Sequence, residues 1–327
     1  MRPTVSSTLA TKPALQNSSS DPASERQAYV HGVSTRAVDQ LAEALGIKGI
    51  SKDQVSRICR ELDAQVEAFR SRRLDGEYPY LFLDATFEKV RENGRVVAMA
   101  VLIAVAVKDG GEREVVGLDV GPSEDHEFWL AFCRHLASRG LTGVKLVISD
   151  SHLGLKHAVQ PVFAGATWQR CRVHFMRNVL ATVPKAAHQM VAATVRTIFA
   201  QPDRTTAKAA VDRVCRLFEK RFPKLVACLP EAEEDVLAYY GFPLEHRRQI
   251  WSTNSLERLN KEVSRRCDVL GIFPNRQALL RLVGAVLEEQ NDEWPVGRRY
   301  FSSESLAKLM QPLTEEVVET LLALESA

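Results

Sequence analysis

The chain has 327 residues, 45% of them hydrophobic and 26% charged, which is ordinary globular material and long enough for a main domain with smaller ones beside it. A formal net charge of +2 excludes a strongly cationic protein, so any surface for a polyanion must come from local segregation of charge. Scattered cysteines (59, 133, 171, 215, 228 and 267) with no CxxC pair exclude a disulfide scaffold and fit a reducing cytoplasm; the longest apolar run, Val96 to Val107, falls well short of the roughly 20 residues that span a bilayer, so no membrane partner is expected.

Residues 1–25 are rich in Ser, Thr, Pro and Ala without periodicity and read as a disordered leader. Over 26–76 a helix pattern starts at Ser34 and stops at Gly46, and a second opens at Ser51, with Gln54 completing a capping box. Two helices on a short Gly-containing turn outline a helix-turn-helix whose second helix offers Lys52, Gln54, Arg57 and Arg60 to DNA. Many helix pairs of this spacing never touch DNA.

From Tyr78 the pattern changes to strands. Tyr80 to Phe87, Val96 to Lys108 and Glu114 to Val120 are joined by an Asn-Gly turn and a Gly-Gly turn, which makes them an antiparallel meander. A helix is expected over Ser123 to Ser138, a strand over Val144 to Ile148, a helix over Leu153 to Phe163 and a strand over Ala166 to Cys171. The order β-β-β-α-β-α-β over 77–173 is the ribonuclease H-like arrangement, a mixed sheet flanked by helices. There the first and fourth strands lie side by side, so Asp84 and Asp150, 66 residues apart (150 − 84), are expected as neighbours. Residues 174–245 read as an all-α insertion: a helix at 174–183, then Pro184 to Ala200, Thr205 to Lys220 and Lys224 to Tyr240. The core resumes over 246–300 with helices at Trp251 to Arg266 and Gln277 to Trp294, and 301–327 reads as a polar tail.

A carboxylate at the C-terminal tip of a buried strand is held on rigid backbone at the sheet edge where open α/β sheets bind ligands. Asp150 has that position, and Asp84 sits among Leu81, Phe82, Leu83 and Ala85, where a charge is costly unless ions or partners compensate it. The competing readings are a helix cap for Asp150 and a lysine partner for Asp84. Three carboxylates suit a hard divalent ion, Mg²⁺ or Mn²⁺, and two-ion phosphoryl transfer. The expected third ligand is Glu257, three residues after Asn254; a capping-box glutamate is the bland alternative, and Glu262 the fallback. Around it Arg247, Arg248, Arg258, Lys261, Arg265 and Arg266 crowd one segment, as suits a helix laid on a phosphate backbone. Upstream, Ser151 to Pro202 holds no Asp or Glu but four histidines together with Arg170, Arg172 and Arg177. Cys171 and His174 form a CxxH that lacks the second pair a structural zinc needs, so His174 is expected to touch phosphate or to orient a site carboxylate. Trp251 either stacks on a base or packs in the interior.

Together LDATFEKVR around Asp84, VISDSHLGL around Asp150, TWQRCRVHFMRN, STNSLERLNKEVSRR, the upstream HGVSTRAVDQLAEALGIKGISKDQVSRICRELD and the closing WPVGRRYFS resemble the Mutator-type transposases of bacterial insertion sequences, in the family's order over 29–305. The resemblance implies a DDE-type transposase with Asp84, Asp150 and Glu257 as its metal-binding triad and with Cys171 and His174 as a family signature. It implies double-stranded DNA partners, the element's terminal inverted repeats and a target, engaged by a homo-oligomer in the bacterial cytoplasm at the nucleoid. Family members carry a longer N-terminal DNA-binding region, so the expectation is a truncated copy or a misassigned start. The competing readings are another ribonuclease H-like nuclease, such as a resolvase or RNase H, and a DNA-binding remnant that does not cut.

Overall fold

The computed structural model describes residues 52–294 and 299–310. The chain divides into two compact units, Met1–Ile58 and Cys59–Ala327. The expected leader, the helix expected from Ser34, the Ser51 cap, the Lys52 side chain and residues 311–327 lie outside the described residues.

After helix α1 (Lys52–Ser71), the chain forms β1 (Tyr80–Glu92), β2 (Arg95–Val107), β3 (Arg113–Gly121), α2 (His126–Ser138), β4 (Leu146–Ser149), α3 (Leu153–Val162) and β5 (Thr167–Arg170). They build a five-stranded mixed sheet in the order β3-β2-β1-β4-β5. The first three strands are antiparallel and β1, β4 and β5 are parallel, so the first and fourth strands are neighbours, as expected. β2 is buried from Met99 to Val107 because helices cover both faces, which is why its sequence is continuously apolar rather than alternating. One face packs Leu81, Leu83, Leu102 and Val147 on Trp129, Phe132 and Leu136 of α2 and on Leu155 and Val159 of α3.

β1 runs five residues beyond the expected end at Phe87, because β2 pairs with it to the tip and Phe273 bridges its other edge: Arg91 N donates to Phe273 O at 2.8 Å and Phe273 N to Lys89 O at 2.8 Å. The tip is the expected Asn-Gly turn, with φ of 49° at Asn93 and 77° at Gly94, the left-handed pair that matches strand twist. α2 starts later than Ser123, because Asp125 is its cap and accepts from Phe128 N at 2.9 Å.

The stretch expected to be helical forms α4 (Arg172–Ala181), α5 (His188–Arg196), α6 (Arg204–Phe218), α7 (Pro223–Val236) and α8 (Leu244–Ile250). The single helix expected over Pro184 to Ala200 is instead α5 between two 3₁₀ turns. Buried Gln169 of β5 ties the insertion to the sheet, accepting from Tyr239 N at 2.7 Å and donating to Val236 O at 3.0 Å. α9 (Asn254–Cys267) and α10 (Arg276–Glu293) then return over β1 and β3. The segment read as a polar tail contains α11 (Ser303–Met310), with Phe301 and Leu306 buried in the core. No helix among the described residues is long and apolar enough to cross a membrane, and all six cysteines are free thiols.

Candidate active site

The register of β1 on β4 sets the site. Tyr80 faces Leu146, Leu81 faces Val147 and Phe82 faces Ile148; carried two residues further, the same register brings Asp84, within β1, level with Asp150, just past the end of β4. Neither alternative reading of these aspartates holds. The cap of α3 is His152, whose Nδ1 accepts from Leu155 N at 3.2 Å, while Asp150 Oδ1 accepts from Ser151 N at 2.6 Å. Asp84 has no lysine partner among the described residues: its Oδ1 accepts from Ala85 N at 3.1 Å and its Oδ2 from Asn260 Nδ2 at 2.7 Å.

Asn260 lies on α9 one turn beyond Glu257, so a single helix face brings both to the strand ends. The cap of α9 is Thr253, and Asn254 is the first helical residue, so the alternative reading of Glu257 as the capping-box partner of Asn254 is not met. Glu257 Oε1 lies 3.9 Å from His174 Nε2 and 3.9 Å from Arg177 Nη2. His174 Nδ1 lies 3.9 Å from Asp150 Oδ1, which puts the imidazole between the second aspartate and the glutamate. The fallback, Glu262, is held by Arg265 and Arg266 at 2.7 Å each and its carboxyl sits at about 2 as a result.

Burial pushes the Asp84 carboxyl up to about 6; His174 and the Ala85 amide oppose the shift and Asp150 adds to it. His174 is raised to about 9, first by the Cys171 sulfur beside it and then by Asp150 and Asp84. A fourth acid reaches the same field. Glu124 accepts from Trp129 Nε1 at 3.3 Å, lies 4.0 Å from His152 Nδ1, and is raised by burial with Asp150 contributing. Sequence reasoning missed Asn260 and Glu124. The helical spacing to Glu257 could have found the first, whereas Glu124 is a loop residue without a local signal.

Among the described residues no three His, Cys, Asp or Glu side chains are drawn together tightly enough to cage an ion. The donor chemistry nonetheless fits a hard cation. The carboxylates of Asp150 and Glu257 face one histidine, Asp84 is desolvated, and Asn260 Oδ1 is a buried oxygen with no hydrogen-bond partner.

The family model described as "Transposase, Mutator family" matches residues 23–297. The chain belongs to the Mutator family of transposases. The transposase for insertion sequence element IS1081 of Mycobacterium tuberculosis is 48% identical over 287 residues, 88% of this chain and 69% of the relative. The transposase for IS406 of Burkholderia multivorans is 46% identical over 277 residues, 84% of this chain and 71% of the relative. That for IS256 in transposon Tn4001 of Staphylococcus aureus is 39% identical over 282 residues, 85% and 72% of the two chains.

The cations of this Mutator-family chain divide by what they touch. Arg177, Lys261 and Arg265 line an open groove with Glu257, Asn260 and Ser264, and Arg248, Asn254 and Arg258 are exposed nearby in sequence; on α1, Arg57 and Arg60 are exposed and Gln54 is half-buried. Arg247 is taken up internally, donating to the carbonyls of Phe242 (3.1 Å), Pro202 (3.1 Å) and Tyr240 (2.8 Å), so it is not a free phosphate contact. Arg172 lies 3.8 Å over the Trp251 ring, whose edge meets Tyr239, and interior packing accounts for Trp251. Arg170 sits over Phe175.

Proposed function

We propose that the chain is a DDE-type transposase built on a ribonuclease H-like core, with Asp84, Asp150 and Glu257 as the carboxylates of a divalent-ion site for Mg²⁺ or Mn²⁺. The observation that carries this reading is that paired β1 and β4 bring Asp84 level with Asp150, while α9 presents Glu257 to the histidine that Asp150 faces. Two bound ions would supply Lewis-acid activation of the attacking oxygen and neutralise charge on the leaving oxygen. The protein's own groups do the positioning. Strand backbone fixes the two aspartates, Asn260 orients the Asp84 carboxylate, and His174 stands between Asp150 and Glu257.

The substrate is double-stranded DNA. Arg177, Lys261 and Arg265 flank the groove beside the carboxylates and suit a phosphate backbone, which they position without reading its sequence. In the proposed reaction water attacks a phosphodiester at a terminal inverted repeat and frees a 3′-hydroxyl. That hydroxyl then displaces a 3′-oxygen in target DNA. Both are in-line displacements at phosphorus, so one carboxylate-lined site serves both with only the nucleophile exchanged. Paired element ends call for more than one copy of the chain, acting at the nucleoid.

The test is an oligonucleotide duplex carrying the element end. Nicking that requires Mg²⁺ or Mn²⁺ and falls by at least about 10³-fold in Asp84→Asn, Asp150→Asn and Glu257→Gln is expected. Binding without nicking by the unaltered chain would leave only a DNA-binding remnant.

A further inference from the structure

The CxxH pair is only half used by this chemistry: His174 faces the carboxylates, while Cys171 does not. Cys171 is fully buried, follows β5 and caps α4. Its amide donates to Ser149 O at 2.7 Å, the carbonyl immediately before Asp150. Its sulfur accepts from the Thr253 amide at 3.4 Å and from Thr253 Oγ1 at 3.4 Å. Thr253, also fully buried, is the cap of α9, and its carbonyl accepts from Glu257 N at 3.0 Å. A continuous path therefore runs from the Asp150 strand through Cys171 and Thr253 to the helix that carries Glu257, although Cys171 and Thr253 stand 82 residues apart.

Neighbouring contacts brace the same junction. Arg172 N donates to Trp251 O at 2.9 Å, and the Arg172 guanidinium covers the Trp251 ring. Sulfur suits this place because it is large and polarisable, reaches an amide and a hydroxyl at once, and costs less to bury than an oxygen acceptor. Its two donors from Thr253 also occupy the sulfur that a zinc reading of CxxH would need.

We propose that Cys171 is a positioning residue, a buried latch that joins the cap of α9 to the strand bearing Asp150 and so fixes Glu257 and His174 against each other across the helical insertion. The proposal rests on the three-carboxylate reading above for its catalytic consequence, but not for the latch itself. The fold brings the first aspartates together by strand pairing, whereas the third acid arrives only after a long insertion. A side-chain junction at the point of return replaces the missing strand pairing.

The test uses the full chain, with saturating element-end duplex and Mg²⁺. Cys171→Ala and Thr253→Val are each expected to lower the nicking rate at saturation by about 10- to 100-fold, the scale of a 1 Å misplacement, with DNA affinity unchanged. The Leu256 and Glu257 amides should exchange hydrogen faster in both variants without metal. The double variant should be no worse than Cys171→Ala alone, because that change already removes the Thr253 contact. Cys171→Ser and Thr253→Ser, which keep an acceptor and a donor, should recover most of the rate. Additive effects of Cys171→Ala and Thr253→Val, or an unchanged rate and exchange in Cys171→Ala, would overturn the latch. Should Cys171→Ala not fold, Thr253→Val against Thr253→Ser decides by the same readouts. Asp84→Asn separates the two claims: nicking that survives it defeats the three-carboxylate reading, while amide exchange and the double variant, scored by melting, still judge the latch.

Discussion

Asp84 is where the requirements of folding and of the proposed chemistry oppose each other. Its carboxyl is raised to about 6 by burial, above the roughly 3.9 of an unfolded aspartate, so the metal-free native state holds its proton more tightly than the unfolded chain does. The sign follows: the group destabilises the native state above about pH 6, and the penalty disappears as pH falls below about 4. Asp84→Asn is therefore expected to raise the stability of the metal-free protein at pH 7.5 by about 1–3 kcal/mol while abolishing nicking. Thermal melts at pH 7.5 and 4 check this, and equal melting temperatures at pH 7.5 would refute it. Added Mg²⁺ should stabilise the unaltered chain and leave the variant unmoved.

Among the elements, α1 and α10 show how closely the helices that hold this sheet are fitted. Gly284 lets α10 lie on α1: a Cβ there would overlap the Val66 side chain, while Arg281 and Asp63 pair at 2.7 Å one turn away. Gly284→Ala is expected to lower stability by about 1–2 kcal/mol, because a gain in helix propensity of about 1 kcal/mol offsets only part of an overpacking cost of about 1–3 kcal/mol. Denaturant unfolding measures it. Combined with Val66→Ala, the loss should be smaller than the sum of the single effects, since the shortened side chain removes the clash. A strictly additive pair would mean that the helices separate rather than resist. The helical period identified both segments as helices in the sequence, but the close approach itself depends on the single Gly284 and had no signature there.

At the scale of the whole molecule, a buried relay fastens the C-terminal segment to the sheet. Tyr80 Oη is hydrogen-bonded with His246 Nδ1 at 2.7 Å, and His246 Nε2 with Ser305 Oγ at 2.7 Å, under the ring of Phe301. Burial holds His246 below the usual histidine range. Its contribution to stability is complete above the unfolded value of about 6.5 and is lost as pH falls through that value toward the folded one. Compared within the Asp84→Asn background, so that the opposing titration of His174 is common to both, His246→Gln should lose less stability between pH 7.5 and 5.5 than the chain that keeps His246. The sequence by itself determined the sheet's strands and their order, because β-branched runs and tight turns act locally and few strand orders satisfy short connections. With the order came the adjacency of Asp84 and Asp150. Only the tertiary structure decided that β1 continues past Phe87, that the supposed tail carries α11, that Arg247 turns inward and that Asn260 reaches Asp84. The meeting of Cys171 with Thr253 and of His174 with Glu257 belongs with these. Each depends on the direction of a side chain on one element relative to another far along the chain, and that direction is set by packing, which no local pattern encodes.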